Sequence, residues 1–150
     1  MKNDLSKSPL GDHLLPWIGK SVKMVQAYMV QALKNEGWDL THNQVLILKI
    51  LFHFGPHRQQ DMALITQRDK TSLTRLVSSM EKKGLIKRQP CPEDKRVNFL
   101  HLTEEGTSTF LKVNPILKRC MEEIEQGISD TEKAAVVSAM KKIQANCAGI

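Results

Sequence analysis

Apolar residues recur at three- and four-residue steps along most of this chain, and the steps break at a few definite places. Leu14, Ile18, Val22 (or Ser21), Val25, Met29 and Leu33 keep that spacing. It predicts an amphipathic helix over about 11–36, ending near Gly37. The run Leu40-Thr41-His42-Asn43-Gln44 follows. Thr41 suits an N-cap, Gln44 sits three residues on, and Leu40 is placed to staple onto Val45. The predicted helix 42–53 is apolar on most faces, which assigns it to the centre of the domain. Gly55-Pro56 ends it.

A short helix over about 59–66 carries Met62, Ala63 and Ile65. A turn at 66–68 leads to Asp69, a good N-cap. The next helix, about 70–83, points Leu73, Leu76, Val77 and Met80 inward. Gly84 follows as its stop, with Lys82 and Lys83 set against the negative helix end. Residues 85–89 and 97–102 read as two short strands around a turn-rich loop holding Pro90 and Pro92. Such a hairpin is marginal alone and must pack on the helices. Thr103 opens a helix on which Phe110, Val113, Leu117, Cys120 (or Met121), Ile124 and Ile128 share a side, with a kink expected at Pro115. Ser129 and Glu132 form a second capping box, and Val136, Val137, Met140 and Ile143 give the last helix its apolar side.

The pattern predicts a mainly α fold: a winged helix-turn-helix with a two-stranded wing hairpin, flanked by long N- and C-terminal helices. The 150 residues read as one domain. Within it, a lobe of about 41–102 lies between helical regions of about 11–36 and 104–147. The end helices carry more apolar stripe than that lobe can cover. Each other and a second copy of the chain are their expected cover, since helix-turn-helix proteins usually read two-fold sites as dimers.

Charge sharpens the picture. The net charge is +6, and residues 68–96 hold nine basic and four acidic side chains, a net +5. That concentration is the footprint of a phosphate-binding surface. No apolar run approaches a membrane span. The first residues lack a secretory core. Cys91, Cys120 and Cys147 show no paired spacing, which fits reduced thiols in a cytoplasm.

These features point to double-stranded DNA. An α-helix fits the major groove with its N-terminal half at the base edges. On helix 70–83 the side chains left over from the core include Lys70, Thr71, Ser72, Thr74, Arg75 and Ser78. Short hydroxyls let the backbone approach, Arg75 suits guanine, and Lys70 suits a phosphate. Arg88, Lys95 and Arg96 add cations along the hairpin, the last two on a loop able to reach a minor groove. Asp94 reads as a positioning residue that pairs with a basic side chain and orients it. A soluble helix face and a surface ion pair are the plainer readings of the same residues.

Together, Thr41…Gln44, Met62-Ala63, Leu73-Thr74-Arg75-Leu76-Val77, Glu81-Lys82-Lys83-Gly84-Leu85-Ile86-Lys87-Arg88, Glu93-Asp94-Lys95-Arg96 and Leu102-Thr103-Glu104-Glu105-Gly106 closely resemble the MarR family of bacterial transcriptional regulators. The Asp-x-Arg wing followed by Leu-Thr-x-x-Gly is the most specific part. The resemblance covers about 40–110 in detail and the end helices in layout. It implies a homodimer on a pseudo-palindromic operator, usually repressing, and often released by a small ligand or by oxidation. Thr66, Gln67 and Arg68 depart from the family's more apolar turn, and Arg58 stands where a Thr or Ser cap is common.

Two release signals are open. Oxidation-sensing members use a cysteine near the first helix, and this chain has none there. Cys91 reads as the thiol exposed beside basic residues, hence a redox candidate or an incidental loop cysteine; Cys120 reads as core. Ligand-sensing members bind aromatic acids between the end helices and the lobe. Trp17, Met24, Tyr28, Trp38 and His42 would line such a cleft for a small aromatic effector, and read equally well as core and surface residues. No metal or other cofactor is expected: His53 and His57 are four apart, but Gly55-Pro56 breaks the helix that would align them. No catalytic motif appears, so an enzyme is disfavoured. A winged-helix protein-interaction module without DNA binding is the remaining alternative.

Overall fold

The computed structural model describes residue 9 and residues 11–149. The polar segment 1–8 lies outside the described residues. The chain divides into two compact units, residues 1–120 and 121–150. The first holds α1 (Leu14–Asn35), α2 (His42–Phe54), β1 (His57–Arg58), α3 (Gln59–Thr66), α4 (Lys70–Lys82), β2 (Ile86–Pro90), β3 (Asn98–Leu102) and most of α5 (Glu104–Ile124). The second holds the end of α5 and α6 (Asp130–Ala148). Among the described residues no helix is long and apolar enough to cross a membrane.

In the first unit α2 is the centre. The Thr41 side chain accepts from the Gln44 N–H, and the Gln44 side chain accepts from the Thr41 N–H at 3.0 Å. The expected capping box is therefore present at the start of α2. Val45, Ile47, Leu48, Ile50 and Leu51 are buried along it. Phe52 and His53 meet Phe110 of α5, with ring centroids 4.7 and 5.7 Å apart. From α4 the inward residues are those the spacing predicts: Leu73, Leu76, Val77 and Met80. Cutting one such buried Leu or Met to Ala costs about 2–5 kcal/mol.

The expected two-stranded hairpin is present as β2 and β3, and a third strand joins it in the order β1-β3-β2. His57 and Arg58 pair antiparallel with Leu100 and Phe99. A two-residue strand carries no period of its own, so nothing in its sequence announces it. It gives the hairpin the third strand that stabilises it on the helices. Arg58 also places its guanidinium 6.0 Å from the centre of the Phe99 ring, and its side chain makes no cap on α3.

The turn between α3 and α4 is polar, as its composition suggests. Gln67 sits in the left-handed region at φ 51°, where a non-glycine residue is strained. The buried Thr66 hydroxyl donates to the Met62 carbonyl at 2.6 Å. Gly84, at φ 70°, ends α4 in the left-handed conformation that glycine adopts freely, and the Leu85 N–H donates back to Met80 at 3.0 Å.

α5 runs through Pro115 as one helix. It ends before Ile128, which is 43% exposed rather than on a buried helix side. In the second unit the Ser129–Glu132 capping box opens α6. Hydrogen bonds from Ser129 hold the Glu132 carboxyl below its usual range. Lys133 is raised by its hydrogen bond with Glu125.

Candidate nucleic-acid interface

Asp69 sets the start of α4. Its carboxylate accepts from the Ser72 N–H at 2.8 Å and from the Ser72 hydroxyl at 2.9 Å. Those bonds hold the exposed carboxyl below its ordinary value. The Ser72 hydroxyl is thus directed at its own cap. Thr74 donates to the Lys70 carbonyl at 2.8 Å. At 100° per residue, Thr71, Arg75, Ser78 and Lys82 fall on one stripe opposite Leu73 and Met80. Thr71, Arg75 and Lys82 are exposed and Ser78 is half-buried. Thr74, Arg75, Ser78, Ser79, Lys82 and Lys83 line a shallow open depression on this face.

That stripe is held on both flanks. On one side the buried Gln44 of α2 donates to Ser79 at 3.4 Å, and Lys83 donates to the Asp39 carbonyl at 2.5 Å. On the other, Arg88 of β2 donates to the Ser78 hydroxyl at 2.6 Å, and its Nε lies 3.2 Å from Glu81 Oε2 without an aligned hydrogen bond. Arg68 turns back to α2, where the Asn43 amide oxygen, in the orientation that satisfies both groups, accepts from Nε and Nη2 at 2.9 Å each.

The nine basic residues of 68–96 therefore fall into two sets. Arg68, Lys83 and Arg88 are engaged with the protein's own polar groups. Lys70, Arg75, Lys82, Lys87, Lys95 and Arg96 are exposed, and among the described residues none of them is in an ion pair. Sequence reasoning passed over Lys82 and Lys87 as candidates, although the charge count had included them. It had no local signal for the engagement of Arg88, because Glu81 and Ser78 lie across the Gly84 stop.

At the wing, Cys91 donates its N–H to Val97 O at 2.8 Å, and Val97 donates to Asp94 O at 2.9 Å. The Asp94 carboxylate accepts from the Arg96 backbone N–H at 2.9 Å. The expectation was that Asp94 would pair with a basic side chain. Instead it builds an Asx turn, since the carboxylate is short enough to reach the N–H two residues on. Lys95 and Arg96 are exposed at the tip.

The wing joins α5 through Thr103. Its N–H donates to Leu85 O at 3.2 Å. Its hydroxyl donates to Gly84 O at 2.5 Å and accepts from the Gly106 N–H at 2.9 Å. A methyl group on Gly106 would sit 1.9 Å from the Leu85 carbonyl oxygen, so this position requires glycine for close approach rather than for its dihedral angles.

Trp17, Met24 and Tyr28 are exposed on α1, with the Trp17 indole donating to Gly11 O at 2.8 Å. Trp38 and His42 are half-buried, and burial lowers the His42 pKa. Cys91 is half-buried and Cys147 exposed, the reverse of the exposure expected for the wing thiol, because the Cys91 backbone is drawn into the hairpin; Cys120 is buried, as expected. Among the described residues no cluster of three His, Cys, Asp or Glu could hold a metal ion.

Residues 40–97 match the model of the MarR family. Over those residues the chain is similar to MarR-family domains. The resemblance read from the sequence is thereby supported over the lobe, and the winged helix-turn-helix fold extends further. AbsC from Streptomyces coelicolor, a MarR family transcriptional regulator, is 25% identical, with a TM-score of 0.79 over 87% of this chain and 89% of that one. A mutant MarR from E. coli, solved in complex with operator DNA, is 21% identical, with a TM-score of 0.79 over 91% of this chain and 94% of that one. BpsR from Bordetella bronchiseptica, whose DNA binding is regulated by 6-hydroxynicotinic acid, is 18% identical, with a TM-score of 0.78 over 89% of this chain and 94% of that one. The matched residues span α2 to β2; in the winged-helix fold α4 is the second helix of the helix-turn-helix and the β2–β3 hairpin is the wing.

Proposed function

We propose that this protein is a sequence-specific regulator of transcription that binds double-stranded DNA as a homodimer, represses from a pseudo-palindromic operator, and acts in the cytoplasm. The observation that carries this reading is the sorting of the cations. Three of nine are engaged with the protein's own polar groups, and the six in no ion pair follow α4 and the wing, with hydroxyls between them. A merely solvated lysine face has no reason to be so arranged around one helix.

In this reading α4 enters the major groove. Arg75 and Thr71 reach base edges, and Lys70 and Lys82 reach phosphates. Thr74 has directed its proton at Lys70, so it meets DNA as an acceptor. Lys95 and Arg96 contact the adjacent minor groove. The exposed apolar residues of α1 and α6, among them Leu15, Val22, Val136 and Val137, are covered by the second copy. The Trp17–Met24–Tyr28 face of α1 is where a small aromatic effector would meet the protein.

Binding to duplex DNA, titrated against salt, tests the reading. Affinity should fall by about 10³-fold or more from 50 to 200 mM salt through counterion release at six or more phosphates. A protein that binds no duplex even at the lowest salt is not such a regulator.

A further inference from the structure

Arg88 touches three successive ledges of one helix. Its backbone N–H donates to Glu81 Oε1 at 3.0 Å. Its Nε lies 3.2 Å from Glu81 Oε2. Its Nη2 donates to Ser78 Oγ at 2.6 Å and to the Thr74 carbonyl at 3.4 Å. Thr74, Ser78 and Glu81 are four and three residues apart, so they line one flank of α4. Arg88 itself lies in mid-strand, opposite Leu100, and Leu100 is fully buried. Both the main chain and the side chain of one wing residue are therefore fixed to the helix proposed to read DNA.

We propose that Arg88, held by Glu81, is a positioning residue that locks the wing to α4 in one register, so that sequence discrimination depends on a side chain that does not itself touch DNA. The inference rests on the DNA-binding reading and gives Arg88, which the sequence alone places among the DNA-facing cations, a role that needs no phosphate contact. Two arguments carry it. A guanidinium has donors only, and here Nη2 is directed at a hydroxyl and a carbonyl of the same lobe while Nε lies within ion-pair range of the Glu81 carboxylate. A planar fork loses little freedom in such a site, whereas Lys could not reproduce it. There is a consequence for Ser78. Its oxygen accepts from a cation, so its own proton is left to point elsewhere. Ser78 then meets DNA as a donor, suited to a phosphate oxygen or to the acceptors of a purine edge.

The decisive comparison uses Glu81→Ala and Arg88→Gln, singly and together. Each is measured on the duplex that the wild type selects from a random pool and on a scrambled duplex of equal length, across a salt series. Simple charge counting says Glu81→Ala should tighten DNA binding, because it removes a negative charge and releases Arg88. The lock says the opposite for the selected duplex. Its ratio of selected to scrambled affinity should fall about tenfold, equivalent to about 1.4 kcal/mol. Arg88→Gln should lower that ratio by a similar factor with the salt slope unchanged, and the double variant should be no worse than either single one. Arg88→Lys keeps the charge and loses the fork, so it should resemble Arg88→Gln. It also carries the comparison if Arg88→Gln does not fold. The proposal is overturned if Glu81→Ala binds the selected duplex as tightly as the wild type or tighter. It is overturned equally if Arg88→Gln flattens the salt slope by about 0.9, the signature of one lost phosphate contact. Failure of the wild type to select any duplex would defeat the DNA-binding reading instead.

Discussion

Helix α2 buries six of its thirteen residues, and α6 buries none of its nineteen. Both are opened by a complete capping box, Thr41–Gln44 in one and Ser129–Glu132 in the other. Local signals therefore started both helices equally well, and the difference lies in what covers them. β3, α3 and α1 pack on α2, and Phe110 of α5 meets its Phe52 and His53. α6 keeps Val136 and Val137 more than half exposed. α1 resembles α6 in this respect, since Leu33 alone is buried along its 22 residues. The lobe is held together by its own core, whereas the end helices carry exposed apolar surface, whose burial would be worth about 25 cal/mol per Å². Under the proposed function the partner that covers it is the second copy.

The largest effect that would break this contrast falls on the lobe. Gly106→Ala should destabilise it by about 3 kcal/mol, because a methyl cannot fit against the Leu85 carbonyl without moving the start of β2 or α5. Denaturant titration reads this directly, and an unchanged midpoint would remove the close approach from the account. Next comes the partner. Val137→Glu should leave the lobe's melting transition in place while halving the hydrodynamic mass towards the 17.0 kDa chain. Sedimentation that stays at the wild-type value would show that α6 is covered by something other than a second copy.

Within the lobe, the two ends of the cation set should behave differently. Arg75→Ala should cost about 1–3 kcal/mol on the selected duplex and relax its sequence preference. Arg96→Ala should weaken selected and scrambled duplexes alike. Selection from random pools with each variant separates the two, and identical behaviour would erase the distinction between reading helix and wing. The smallest effect concerns His42, at the first turn of α2. Burial holds its folded-state pKa below the ordinary imidazole value of about 6.5. As pH falls through that region the unfolded chain takes up a proton that the folded chain resists. The stability contribution is thus complete above about pH 6.5 and declines on acidification. Thermal melts at pH 7.5 and 5.5 should show this decline, and His42→Gln should flatten it.

What could be read without the structure was local. Thr41, Asp69 and Ser129 announce their helices because a cap bonds within three residues. Leu73, Leu76, Val77 and Met80 announce the buried side of α4 because helical period alone selects that face. The Asp94–Arg96 pair is legible in the sequence, but which group the carboxylate bonds is not, since a side chain and a main-chain N–H compete for it over the same two residues. The concentration of cations in 68–96 was equally visible, because charge is counted without knowing any contact.

The tertiary structure decided which of those cations are engaged by the protein's own groups. Arg88 is engaged because β2 returns along α4, and Arg68 and Lys83 because α2 and the loop before it pass beside them. It also added β1, a strand that exists only because Leu100 and Phe99 of β3 lie next to it, and it made Gly106 irreplaceable through the backbone of Leu85. The sequence by itself determined the helices, their caps, their apolar faces and the basic centre, because each is set within a few turns of chain. The pairing of strands, the engagement of cations and the cover on each apolar face needed the fold, because their partners lie too far away in sequence to leave any periodic trace.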